Sequence, residues 1–101
     1  MQNLTFKGIE PSSRVGKKYD AFFAYMKDNK KHEKKVSFGA STYSDYLQHK
    51  DKQRRENYRN RHRNDNLNDP MSPGALSWYI LWGDSTSIKE NIKTYRNKFN
   101  I

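Results

Sequence analysis

The sequence predicts a small single α+β domain, with a β-hairpin or meander in residues 1–40, a basic helix in 44–63 and a pair of helices in 74–101. Three observations carry this prediction. Apolar and polar residues alternate in the first part, charged residues dominate the second, and apolar residues recur at helical spacing in the third. A chain of 101 residues is long enough for one domain and no more.

Residues 17–40 fit two patterns, and the residues alone leave the choice open. Four of them have the i, i+3, i+4, i+7 spacing of an amphipathic helix: Tyr19, Phe22, Phe23 and Met26. The same segment also fits a strand, because every second residue from Tyr19 to Tyr25 is apolar. This strand would lead through a polar turn at 28–30 into a second strand. In that case a further strand over residues 4–9 would complete a meander.

The segment from residue 44 or 46 to His62 is predicted to be one basic helix. At about 100° per residue, its inward face is a narrow and half-polar stripe of Leu47, Asp51, Tyr58 and His62. Asp51 and Arg55 have the i, i+4 spacing of an ion pair. Because so polar a helix is rarely stable by itself, we expect a partner to bridge it. The predicted partner- or polyanion-binding residues are Lys50, Lys52, Arg54, Arg55, Arg59, Arg61 and Arg63.

The C-terminal region is predicted to form two helices. Ser72 and Pro73 suit the N-cap and first turn of a short apolar helix, which Gly83 closes as a C-cap. Ser87 and Glu90 form a capping box for the last helix.

The last helix has an apolar face formed by Ile88, Ile92, Tyr95 and Phe99. We expect this face to pack on Trp78, Leu81 and Trp82. The aromatic residues expected to hold the fold are Phe38, Trp78, Trp82 and Tyr95.

The net charge is +9, and residues 27–63 hold 12 basic and 5 acidic residues. Such a block attracts polyanions, namely nucleic acid, anionic lipid or an acidic protein surface. Tyr43, Tyr46 and Tyr58 are interleaved with the arginines, as stacking planes beside phosphate-binding groups would be. No motif for sequence-specific reading of nucleic acid accompanies them.

The sequence gives little support for catalysis or metal binding. There is no cysteine, and His32, His49 and His62 lack the paired spacing of a metal site. We therefore expect no enzyme, no cofactor and no metal. The first six residues lack the apolar stretch of a signal peptide, and the longest apolar run, 78–82, is far too short to cross a bilayer. We expect a soluble intracellular protein without a membrane span.

Eleven short motifs, taken together, are specific. They are Ile9-Glu10-Pro11-Ser12, Lys17-Lys18-Tyr19, Val36-x-Phe38-Gly39-Ala40, Ser44-Asp45-Tyr46, His49-Lys50-Asp51, Arg61-His62, Asn68-Asp69-Pro70, Gly74, Ser77-Trp78, Leu81-Trp82 and Phe99-Asn100-Ile101. With them the chain resembles, over residues 8–101, a family of small basic proteins of unknown function from nucleocytoplasmic large DNA viruses. Members tend to have a basic residue where this chain has Ser77 and tryptophan where it has Leu67.

The resemblance implies strands in the N-terminal region and so favours the hairpin over the helix for residues 17–40. It further implies a virion component of a giant virus, made in the host cell cytoplasm. The expected function is that of a minor capsid protein, of the cement type, which binds acidic surfaces of viral capsid proteins. The alternative is a DNA-binding protein of the virion core without sequence specificity.

Overall fold

The computed structural model describes residues 4–101 and has the predicted α+β architecture. Three antiparallel strands come first, in the sheet order β1-β2-β3: β1 (Thr5–Pro11), β2 (Lys17–Lys27) and β3 (Lys30–Ala40). The helices follow: α1 (Tyr46–His49), α2 (Lys52–His62), α3 (Pro73–Leu76), which continues as a π-helical turn (Ser77–Leu81), and α4 (Ile88–Phe99).

The sheet settles the choice that the sequence left open, because residues 19–26 lie in β2. Ala21 and Phe23 of that strand are buried, as alternation predicts for the inner face of a sheet. Asp28 and Asn29 connect β2 to β3 with φ angles of 55° and 61°. Two consecutive left-handed residues form the tight turn that matches the twist of a two-stranded hairpin.

The hydrophobic core lies between the inner face of the sheet and the C-terminal helices. Phe38 and Tyr95, both predicted to hold the fold, have no exposed surface. Phe6 joins the two layers, because its ring lies 5.6 Å from that of Phe23 and 5.3 Å from that of Tyr95. The other buried members are Leu4, Ala21, Val36, Leu76, Ile80 and Leu81.

The prediction of one continuous helix over residues 44–63 is wrong. Lys50 is in the left-handed conformation, with φ of 57°, and ends α1. Asp51 is the N-cap of α2, where its side chain accepts hydrogen bonds from the N–H groups of Gln53 and Arg54. Asp51 therefore neither lies on an inward stripe nor pairs with Arg55, whose acidic partners are Glu56 and Asp84. Asp51 thereby satisfies free backbone donors at the start of α2. The predicted helix is thus divided into two, α1 and α2.

The start of the C-terminal helical pair is confirmed. The Ser72 hydroxyl accepts a hydrogen bond from the N–H of Ala75 at 3.0 Å, and Pro73 occupies the first turn. The Ser87 hydroxyl likewise accepts from the N–H of Glu90, at 3.4 Å, but the N–H of Ser87 donates to the Ser85 hydroxyl, so only half of the predicted capping box forms. These bonds satisfy donors that the first turn of a helix leaves without partners.

One further C-terminal prediction is wrong, and another is right only in part. Gly83 is not a left-handed C-cap; it is needed for space, because a Cβ there would lie 2.3 Å from the carbonyl oxygen of Tyr79. The apolar face of α4 shares the core with Leu81, as predicted. Its aromatic rings pack on Tyr79 and Phe6, whereas the rings of Trp78 and Trp82 lie against Tyr58 of α2. The buried Asn91 of α4 replaces the expected tryptophan contact, and its side chain donates to the carbonyls of Ile80 and Ser85.

Candidate polyanion-binding surface

Helix α2 is attached to the protein by an aromatic stack, which consists of His62, Tyr58, Trp82 and His49. The Tyr58 ring lies 4.2 Å from that of Trp82 at an interplanar angle of 3°, and 4.3 Å from that of His62 on the same helix. His49 continues the series, 5.2 Å from Trp82. Burial, followed by the charge of Asp65, raises the pKa of Tyr58 to about 12, so the phenol is neutral at neutral pH.

Two of the predicted partner-binding arginines, Arg55 and Arg59, are engaged inside the protein. Arg55 donates to the carbonyl of Gly83 at 2.7 Å and pairs with Asp84. Arg59 donates twice to the carbonyl of Trp82, at 3.2 and 3.1 Å, and its guanidinium carbon lies 4.6 Å from the Trp78 ring centroid. Their side chains are only 15% and 24% exposed, so these two arginines hold α2 in place.

The remaining five predicted residues are exposed on and beside α2. Arg54 contacts the hydroxyl of Ser44 at 3.3 Å, and Arg63 donates to the side chain of Asn60 at 2.7 Å. Within residues 4–101, none of the five has an acidic group within 4 Å, so their positive charges are not compensated. They are Lys50, Lys52, Arg54, Arg61 and Arg63.

An open cleft of about 650 Å³ lies between α2 and the open end of the β2–β3 hairpin, where β2 begins and β3 ends. Arg54, Arg61 and Lys17 line it above an apolar floor that includes Leu81, and Tyr43, which is 74% exposed, also lines it. Lys17 was missed in the sequence because it stands 37 residues before Arg54; only the sheet brings the two together.

Both acidic groups of the cleft have a partner within the protein. Asp45 lies 2.5 Å from the Lys18 ammonium, and Asp65 lies 2.8 Å from the His62 ring. Lys17, Lys18, Arg54 and Arg61 outnumber Asp45 and Asp65 in the cleft, so its net charge is positive and favours an anionic ligand.

The three tyrosines predicted as stacking planes have different environments. Tyr46 is buried, at 5% exposure, and Tyr58 has Trp82 and His62 stacked against it. Tyr43 alone of the three has a largely free ring. The surface therefore offers several guanidinium groups but one stacking position, and a single-stranded nucleic acid generally needs several.

His49 is a half-buried histidine whose surroundings are structural. Its Nδ1 accepts a hydrogen bond from the N–H of Asp51 at 2.9 Å, and its Nε2 is buried without a partner among residues 4–101. Burial lowers the pKa of His49, which keeps the ring neutral at neutral pH. In the part of the chain that the structure describes, no three His, Asp or Glu side chains are close enough to hold a metal ion. None of the helices described there is long and apolar enough to cross a membrane.

The fold and the surface define a small α+β domain with a basic helix, α2, that is held in place by aromatic rings. The chain belongs to a family of unknown function, DUF5754, whose model matches residues 8–62. That match covers the sheet from Gly8 of β1 onwards, α1 and α2, and it ends where the loop to α3 begins. No curated protein and no solved structure matches the chain.

Residues within the matched segment also hold the fold together. Asp20, which is 2% exposed, accepts hydrogen bonds from the hydroxyls of Ser12 and Ser37, both at 2.6 Å. These bonds, that of Ser12 first, lower the pKa of Asp20 to about 2 and fix the β1–β2 loop on the sheet. Gly39 has φ of 79°, and a Cβ there would lie 2.8 Å from the Leu81 side chain. The motif glycine thus lets the sheet approach the π-helical turn closely.

Proposed function

We propose that this protein is a structural component of a large DNA virus particle, a minor capsid protein of the cement type. Its exposed cations on and beside α2 bind an acidic surface of a capsid protein. The proposal rests on one observation, namely that the basic residues on and beside α2 have two different roles. Arg55 and Arg59 fix the helix to the body, so that Lys50, Lys52, Arg54, Arg61 and Arg63 are displayed without acidic partners.

A protein partner fits this surface better than a nucleic acid does. The arginine fork suits bidentate contacts with carboxylates. Since Tyr46 is buried and Tyr58 is covered, the surface lacks the row of stacking rings that single strands use. The charge pattern steers association, and rim charges of this kind act chiefly on the association rate.

The test is cross-linking mass spectrometry on purified particles of the source virus, with and without nuclease treatment after opening. We expect cross-links from Lys50 or Lys52 to capsid proteins that survive nuclease. Release of the protein by nuclease, without capsid cross-links, would contradict the proposal.

A matched pair of variants sharpens this test in a binding assay with the purified capsid protein. Arg54→Gln, Arg61→Gln and Arg63→Gln together remove three charges from α2, and Lys89→Gln, Lys93→Gln and Lys98→Gln remove three from exposed positions of α4. The first triple variant should slow association at least tenfold at low salt, because charge complementarity steers encounter. Equal slowing by both triples would mean that net charge alone is responsible.

A further inference from the structure

The cleft beside α2 has cations on two of its sides, and only one side belongs to the surface assigned to the capsid protein. Arg54 and Arg61 stand on α2, whereas Lys17 stands where β2 begins. All three residues are exposed. Among residues 4–101, Lys17 has no acidic group within 4 Å. A ligand inside the cleft therefore meets cations from two sides, unlike a ligand that lies on α2 alone.

The cations of α2 are spread along the cleft. Arg54 and Arg61 are seven residues apart in one helix, which places them on the same face with Cα atoms about 10 Å apart. Asn57 and Tyr58 lie between them and also line the cleft. At about 3.1–3.4 Å per residue, an extended peptide spans this distance with three or four residues. The distribution of charge thus suits a chain-like ligand better than a single compact anion.

The cleft also offers apolar surface to a ligand. Tyr43 is 74% exposed, and Ala40 and Pro73 are exposed as well. The rings of Tyr58 and Trp82 are half-buried members of the same lining. Apolar groups placed among cations suit a ligand that carries apolar groups between its negative charges, because both kinds of group then find a partner.

The acidic residues of the cleft disfavour a ligand with concentrated negative charge. Asp45 lies against Lys18, and Asp65 lies 2.8 Å from the His62 ring. Asp65 follows Arg61 by only four residues and lines the same cleft. The phosphates of a nucleoside triphosphate would bring several negative charges close to Asp65 and be repelled, whereas separate carboxylates can each bind a cation away from it.

We infer that the cleft binds a short extended segment of the partner protein in which acidic residues flank an apolar side chain. The inference rests on the proposed function and refines it, because the capsid protein then offers a projecting segment instead of a flat acidic surface. One carboxylate pairs with Arg61 on α2, and another pairs with Lys17 on the sheet. The pairing with arginine gives direction, and the apolar side chain gains affinity from the surface that it covers.

The experiment measures, by fluorescence anisotropy, the affinity of the whole protein for a labelled peptide in which two glutamates flank a leucine. Arg61→Gln removes a cation from the cleft, and Arg63→Gln removes an exposed cation of the same helical region outside it. Lys17→Gln and Lys30→Gln make the same comparison on the sheet. The two cleft variants should weaken binding about three- to tenfold, and their controls should change it by less than about twofold.

A second pair of variants changes shape without changing charge. Asn57→Trp places a large side chain in the cleft, whereas Asn60→Trp places the same side chain on α2 outside it. Both asparagines are exposed, and circular dichroism checks that both variants fold. Asn57→Trp should remove most of the peptide binding, because its ring fills space that the peptide needs. Asn60→Trp should leave the affinity unchanged.

Equal effects within each pair, or no binding of the peptide by the wild type, would overturn the inference. If the α2 triple variant nevertheless slowed association with the capsid protein, the proposed function would stand and only the use of the cleft would be excluded. If that triple variant also had no effect, both would fail. Tighter binding of ATP than of the peptide, lost in Lys17→Gln, would assign the cleft to a nucleotide instead.

Discussion

Helices α2 and α4 are nearly equal in length, at 11 and 12 residues, but they are attached to the protein by different means. Helix α4 buries Asn91 and Tyr95 and presents an ordinary apolar stripe to the core. Helix α2 has no buried residue; it is held by ring stacking on Tyr58 and by arginine bonds to backbone carbonyls. The comparison shows that a helix can be fixed in place and still keep most of its length free for charged residues.

The largest effect is expected at Tyr95, the fully buried ring of α4. Tyr95→Ala should lower the free energy of unfolding by about 3–5 kcal/mol, because it empties the space between Phe6 and Tyr79. Urea unfolding followed by circular dichroism measures this. Tyr95→Phe keeps the ring and loses only the hydrogen bond to the Pro70 carbonyl, so it should cost about 1 kcal/mol. A loss below 1 kcal/mol for Tyr95→Ala would mean that α4 is not the anchor.

A smaller and more local effect is expected at Tyr58. Tyr58→Ala removes two stacked pairs at about 0.5–1.5 kcal/mol each, so a loss of about 1–3 kcal/mol follows. Hydrogen exchange should rise in α2 more than in α4, because the stack fastens only α2. Tyr43→Ala is the matched control and should change stability by less than about 0.5 kcal/mol, since that ring is 74% exposed. Uniform exchange across both helices would contradict local attachment.

The third effect is a loss of stability that develops only in alkali. The pKa of Tyr58 is raised from 10.0 to about 12, so the neutral phenol is favoured in the folded protein. Its contribution to stability is therefore full below pH 10 and is lost as the pH rises from 10 to about 12. Burial also raises the pKa of Tyr95, which adds to the same alkaline loss.

Replacing Tyr58 by phenylalanine isolates its share of this pH dependence. Tyr58→Phe should leave stability near neutral pH almost unchanged and should weaken the loss above pH 10. Thermal melting at intervals between pH 9 and 12 measures it, with tyrosinate absorbance as the titration signal. An identical pH profile in the variant and the wild type would assign the alkaline loss to other groups.

The sequence predicted α4 and the start of α3 because their signals are local. A stripe with helical spacing and a Ser-Pro pair at a helix start act within one or two turns. Residues 17–40 were ambiguous for the opposite reason, since Tyr19, Phe23 and their neighbours satisfy both periods, and only pairing with β1 and β3 decides.

The attachment of α2 could not be predicted in the same way. Arg55 meets Gly83 and Arg59 meets Trp82 across 28 and 23 residues, and both contacts are with backbone carbonyls, which carry no sequence signal. The interruption at Lys50 did have a local signal, because Asp51 is a good N-cap, but no glycine or proline marks the end of α1. From the sequence, the predicted partner-binding residues that fix α2 could not be distinguished from those that are exposed for a partner.

The placement of Trp78 and Trp82 has a spectroscopic consequence. These are the only two tryptophans of the chain, and the rings of both lie against residues of α2. Intrinsic tryptophan fluorescence is therefore sensitive to the packing of α2 against the rest of the protein. If α2 lifts away before the sheet and α4 unfold, emission will change at a lower denaturant concentration than ellipticity. The gap between the two curves would then measure how tightly the cationic helix is held, without any label.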